Sequence, residues 1–119
     1  MIYTGYFAKL KVYEEANLVP VSITRYRPKW FKGEECKLFA PSADLLDRYK
    51  ADCISKEDFT ARYIAQLDEM ASGKIAENVA RKRDIVLCCY EAPGDFCHRH
   101  ILANYLNEKF NMNITEYPV

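Results

Sequence analysis

The sequence carries no charge excess: 17 lysines and arginines are matched by 17 aspartates and glutamates. That balance excludes a broadly cationic nucleic-acid coat. It has no apolar run near the ~18 to 20 residues a membrane helix requires. The opening Met1-Ile2-Tyr3-Thr4-Gly5 has neither the basic nor the apolar region of a signal peptide, so a soluble, cytoplasmic protein with no membrane partner is expected. Internal repeats, low-complexity tracts and Pro/Gly/Ser-rich linkers are missing, and the 119 residues read as a single domain, 1–119. A chain of this size can bury roughly two-thirds of the surface its unfolded form exposes.

Five cysteines are an odd count, which excludes a complete internal disulfide framework and makes reduced thiols the expectation. There is no Cys-x-x-Cys pair, and adjacent Cys88 and Cys89 on a strand would face opposite sides, so no metal ligand set is assigned. A tyrosine-phosphatase loop wants an arginine six positions after its cysteine. Cys88, Cys89 and Cys97 are followed there by Gly94, Asp95 and Ala103. The sequence names no cofactor.

What is present is an alternation of strands and helices. Ile2 to Gly5 and Val19 to Thr24 read as short strands, with Pro20 weakening the second, and the pattern leaves Tyr6 to Asn17 open between a short helix and an irregular connection. Arg25 to Pro41, with Pro28 and Gly33, reads as a long loop. Ser42 can cap a helix beginning at Ala43, and Ser55-Lys56-Glu57-Asp58 caps a second carrying Phe59, Tyr63, Leu67 and Met70 at helical spacing. Ser72-Gly73 should end it, with another short helix over Lys74 to Lys82. Asp84 to Tyr90 is an apolar run expected of a central, doubly covered strand. Asp95 should cap a helix from Phe96 to about Phe110, and Asn113 to Tyr117 reads as a last strand. Together these imply an α/β fold, a Rossmann-like three-layer sandwich with a mostly parallel sheet of about four to five strands.

Function should concentrate in Cys88 to His100, where a strand end passes into a helix N-terminus. Placed in the helix first turn, Cys97 would have its thiolate favoured by free N–H groups and neighbouring cations. At 100° per residue His98 points to the middle of the face formed by Ile101, Leu102 and Tyr105, flanked by Cys97 and Arg99, while His100 points away. The functional reading gives catalysis to Glu91, Cys97 and His98 and an oxyanion clamp to Arg99. A structural reading stands beside it: Cys97 as a small buried hydrophobe, His98 as a core histidine, Arg99 tying helix to strand end.

Arg25-Tyr26-Arg27-Pro28-Lys29-Trp30-Phe31-Lys32 interleaves cations with aromatics, a combination that neutralises phosphates while stacking on bases. It starts at the carboxyl end of the second strand, so Arg25, Lys29 and Trp30 are candidates for an anionic ligand. Ser22 at the same strand end, Tyr6 at the first strand's end and Ser42 complete the binding set. The alternative has Trp30 and Phe31 anchoring the loop on the core.

Taken together, Ile2-Tyr3-Thr4-Gly5-Tyr6, Ser22-Ile23-Thr24-Arg25, Pro28-Lys29-Trp30-Phe31, Ala40-Pro41-Ser42 and, above all, Cys89-Tyr90-Glu91 followed by Phe96-Cys97-His98-Arg99 resemble the domain of unknown function 488 family. The resemblance spans nearly the whole chain. It implies a compact Rossmann-like fold with a Cys-His-Arg site and matches Cys89 to the cysteine preceding Tyr-Glu. Cys88, where an aliphatic residue is usual, takes no role. Three functions compete: an enzyme on a phosphorylated or nucleoside-like small molecule, a non-catalytic nucleotide or nucleic-acid binder, and a partner-binding domain.

Overall fold

A computed structural model describes residues 1–119. Five strands, β1 (Ile2–Tyr6), β2 (Val19–Ser22), β3 (Glu34–Glu35), β4 (Ile85–Cys89) and β5 (Thr115–Glu116), form one sheet in the order β3-β2-β4-β1-β5. Every pairing is parallel, and β2 and β4 are neighbours as expected, with Val19 opposite Ile85. Pro20 is tolerated inside β2 because of where its missing N–H would point. The Val19 N–H donates to Asp84 on the β4 side, so position 20 faces away from β4, and β3 pairs only from Val21 onward.

The helices are α1 (Leu10–Glu15), α2 (Ala43–Lys50), α3 (Lys56–Asp68), α4 (Ser72–Ala80) and α5 (His98–Phe110). Period-two alternation along β4 sorts them into two layers. Val86 and Cys88 pack with Phe7, Tyr13, Leu18 and Phe31 on the α1 side. Ile85 and Leu87 join Phe59, Tyr63, Leu67, Leu102 and Leu106 on the α2 to α5 side. All five residues of β4 are buried, as a strand covered on both faces requires. No helix is long and apolar enough to cross a membrane.

Local chemistry explains two of the five helix starts. The Ser42 hydroxyl accepts from the Leu45 N–H at 3.2 Å, and that of Ser55 accepts from the Asp58 N–H at 3.1 Å, so both caps are as the sequence suggests. Strands β2 and β5 are each two or more residues shorter than expected, and three further boundaries have an identifiable cause. Ser72 and Gly73 begin α4 instead of ending α3, because the buried Ser72 hydroxyl reaches back to the Leu67 carbonyl at 2.7 Å and joins the two helices directly. The Arg25 to Pro41 loop contains the two-residue edge strand β3, too short to show periodicity. The helix expected from Phe96 starts at His98 instead, since Asp95 closes a turn onto the Ala92 carbonyl and Cys97, in extended conformation, takes the N-cap position.

The connection leaving β1 carries α1 to one face of the sheet, whereas the connection leaving β4 carries α5 to the other. Because β1 and β4 are adjacent, their carboxyl ends diverge and open a switch point in the topology, the usual ligand position in such sheets.

Candidate functional site

At the switch point Cys89, last residue of β4, faces the α5 layer beside Tyr6, its register partner on β1. Cys97 at the α5 N-cap turns inward to meet it, and the structure joins the two sulfurs as a disulfide. This corrects the expectation of five reduced thiols. An odd count excludes a complete framework but not one bridge, and an eight-residue separation folds strand end onto helix start. Cys36, Cys53 and Cys88 are free. Cys88 faces the α1 layer, and burial pushes its thiol up to about 12.

Arg99 has no exposed surface. Its Nε and Nη2 donate to Glu116 at 3.0 and 2.9 Å, and its Nη1 donates to the Glu91 carbonyl at 2.7 Å and to the Cys89 sulfur at 2.9 Å. The Tyr6 ring lies 5.7 Å from the guanidinium carbon. Arg99, with Leu102 and Leu106, is therefore the middle of the α5 inner face, not its flank. Moving the helix start to His98 leaves the spacing intact, but placing β5 beside β1 brings Glu116 under Arg99, which makes burial of that charge tolerable. Burial pushes the Glu116 carboxyl up, yet hydrogen bonds from Arg99 and from Thr4 outweigh it and hold the group below the usual range. With its donors engaged in this way, Arg99 meets a sulfur and a carboxylate of its own chain where a free oxyanion was expected.

His98 lies between this centre and solvent. Its Nε2 is 2.7 Å from the Ile23 carbonyl, which can only accept, so Nε2 carries the proton. The Nδ1 of the neutral ring then presents its lone pair toward the Cys97 sulfur at 3.8 Å. Burial first, and then the neighbouring Arg99 charge, lower His98 to about 4 despite the Ile23 bond, so the ring is neutral at pH 7. Cys89, Cys97 and His98 present metal-ligand atoms within 4.8 Å of one another, a grouping that sequence spacing does not reveal. With the sulfurs joined, neither is a thiolate, the form of cysteine that ligates metals.

On its other side His98 lines a cavity of about 110 Å³ with Thr24, Arg25, Tyr26, Lys50, Tyr90 and Glu91. Glu91 is exposed at its rim. Arg25 lies in the wall, but its guanidinium donates to the carbonyls of Ala40 and Pro41 at 3.4 and 3.1 Å. Ser22 is buried, 2.9 Å from the Thr24 hydroxyl. The Ser42 hydroxyl is engaged as a helix cap in a separate depression with Arg62 and Gln66. Lys29 and Trp30 are exposed outside the cavity, whereas the neighbouring Phe31 is buried against Phe7. Phe7 is the hub of an aromatic fan, with Trp30 at 6.3 Å and Tyr90 at 5.2 Å, and the Tyr90 hydroxyl donates to the Tyr26 carbonyl at 2.7 Å. Lys50 and Glu116 were missed from sequence, as each reaches the site from an element whose register only the tertiary structure supplies. Cys89 carried a signal, as the cysteine ending an apolar strand.

Comparison with known families finds that the model described as the active DUF488-N3 subclade, DUF488-N3a, matches residues 10–110. Comparisons with curated proteins and with solved structures return no match.

Proposed function

Because the chain belongs to the domain of unknown function 488 family, in its DUF488-N3a subclade, we propose that it is an enzyme acting on a phosphorylated or nucleoside-like small molecule in the crevice at the carboxyl ends of β1, β2 and β4. One observation carries the reading: a wholly buried guanidinium places an N–H 2.9 Å from a cysteine sulfur at the end of the central strand. Burying a cation is costly, and Glu116 takes only Nε and Nη2, so Nη1 needs partners of its own and finds the Glu91 carbonyl and the Cys89 sulfur. Directing the remaining N–H at Cys89 stabilises a negative sulfur there, the form of cysteine that does chemistry. Arg99 acts as a positioning residue on Cys89.

In this reading the ligand occupies the cavity beside His98. Lys50 and Arg25 supply positive charge for a phosphate, Glu91 accepts sugar hydroxyls or moves a proton, and Tyr26 and Tyr90 offer ring faces to a base. Cys97 and His98 lie behind it, the thiol of Cys97 able to pass its proton toward Nδ1 when the bridge is open. A second reading, binding without turnover, is favoured by the three aromatic side chains Tyr26, Trp30 and Tyr90, each at least half exposed.

Calorimetric titration of the reduced chain with a nucleoside monophosphate and with inorganic phosphate tests the crevice. The nucleotide is expected to bind more tightly than phosphate, and Lys50→Ala and Glu91→Gln are expected to weaken it by about fivefold each, in line with single partly exposed charges. Negligible heats for wild type and both variants would remove the reading. Binding followed by no chemical change, read by mass spectrometry of the ligand, would select the non-catalytic alternative.

A further inference from the structure

We infer that Cys89 and Cys97 form a thiol–disulfide exchange site, entered at Cys97 by low-molecular-weight thiols and disulfides, with Cys89 as the sulfur that leaves and returns. This goes beyond the crevice reading and does not need its substrate. It rests on the unlike surroundings of two joined sulfurs. Cys89 has no exposed surface and receives the Arg99 N–H, while Cys97 keeps 4% of its surface exposed and stands beside His98, the cavity-lining residue. In the connection between them Tyr90 is packed on Phe7 and the Glu91 carbonyl is held by Arg99, whereas Ala92 to Asp95, near Cys97, is exposed throughout, so the stretch free to move is the one on the Cys97 side.

In exchange the attacked sulfur must be reachable and the departing one stable as a thiolate. Cys97 is itself buried, but it follows closely on the exposed Ala92 to Asp95 stretch and precedes the cavity-lining His98, so it is the sulfur uncovered when that stretch moves, while Cys89, facing Arg99, meets the second condition. A small thiolate attacking the Cys97 sulfur forms a mixed disulfide and breaks the Cys89–Cys97 bond, and the electron pair of that bond goes to Cys89, which faces Arg99 as a thiolate. A second small thiolate attacks the outer sulfur of the mixed disulfide and expels Cys97, which takes a proton from solvent and directs it toward His98 Nδ1. One protein disulfide and two small thiols have become a protein dithiol and one small disulfide, a two-electron exchange. Run backward, Cys97 attacks the small disulfide and Cys89 then closes on Cys97, releasing the second small thiolate. The other cysteines lack these features. Cys36 and Cys88 are buried without a partner sulfur and Cys53 is exposed and alone, so the three serve as internal controls.

The experiment equilibrates the full chain, without nucleotide, against mixtures of glutathione and glutathione disulfide, and reads each cysteine by mass spectrometry after an acid quench. The expected result is a Cys89–Cys97 bridge that forms and opens reversibly while Cys53 takes only a mixed disulfide and Cys36 and Cys88 stay as thiols, reporting an intact fold. In Cys89→Ser the mixed disulfide should accumulate on Cys97, at a rate about tenfold or more above that on Cys89 in Cys97→Ser. Should either variant lose the protection of Cys88, the wild-type mixed disulfide trapped at early times supplies the same assignment and should map to Cys97. A bridge that forms only when Cys36 and Cys88 also react, or an early adduct on Cys89, would overturn the inference. Failure of nucleotide binding would leave this result unmoved, so the two readings fail separately.

Discussion

Arg99 is the residue on which the rest of the site depends. A guanidinium without exposed surface is held by a bidentate carboxylate, a carbonyl and a sulfur, and none of these can be removed alone without stranding another. Arg99→Met is therefore expected to cost about 3 to 5 kcal/mol in urea denaturation, because it leaves the Glu116 carboxylate without its partner. Adding Glu116→Gln should recover a measurable part of the loss. A single substitution costing less than ~1 kcal/mol, or a double variant no better than the single, would show that the pair is not the anchor described above. Arg99→Lys is not conservative here, since an ammonium cannot reach two carboxylate oxygens and a sulfur in one plane.

Among the elements, β1 and α1 show how a small residue places a large one. Tyr13 has no exposed surface, and its hydroxyl accepts the Tyr6 N–H at 3.1 Å directly above Gly5. A Cβ at position 5 would collide with the Tyr13 phenol and stand 2.7 Å from Val86 Cγ1. Gly5→Ala should consequently destabilise the chain by about 1 to 3 kcal/mol, the usual cost of overpacking, and should shift the end of β1 where Tyr6 meets Arg99. Unchanged thermal stability would contradict this account of α1 docking. Elements with strong local signals were legible in the sequence: the Ser42 and Ser55 caps, the Phe59, Tyr63, Leu67 stripe and the apolar β4. Those set by distant partners were not. Edge strand β3 is two residues long, and the α5 start depends on a turn at Ala92 and on Cys97 finding Cys89. The same holds for the site. Cys97, His98 and Glu91 were visible as a strand-to-helix segment, whereas the engagement of Arg99 by Glu116 required knowing that β5 lies beside β1.

At the scale of the whole molecule, the two sides of the sheet share β4 but differ in what they bury, and the charged groups lie on the α5 side. That predicts an acid-sensitive fold. His98 titrates near 4 in the folded chain against an ordinary 6.5, so below pH 6.5 the unfolded chain binds a proton that the folded one refuses. Its contribution is fully present above pH 6.5 and is lost as the pH falls toward 4, amounting to roughly 3 kcal/mol. His100, also lowered by burial, adds in the same direction, and Glu116 adds a further loss as the pH drops below its ordinary 4.5. Urea midpoints measured from pH 7 to pH 4 should fall for wild type and fall less for His98→Gln. Parallel curves would place the acid sensitivity elsewhere.

The central claim is that the sulfurs at the carboxyl end of β4 are chemical groups and not packing. Site-resolved alkylation of the reduced, folded chain with iodoacetamide tests it most directly. The account predicts that Cys97 is modified while the chain is still folded, more slowly than exposed Cys53, whereas Cys36 and Cys88, whose thiols burial raises, stay unmodified until the chain unfolds. If Cys97 instead reacts only together with Cys36 and Cys88 on unfolding, the pair is part of the core and the claim is wrong.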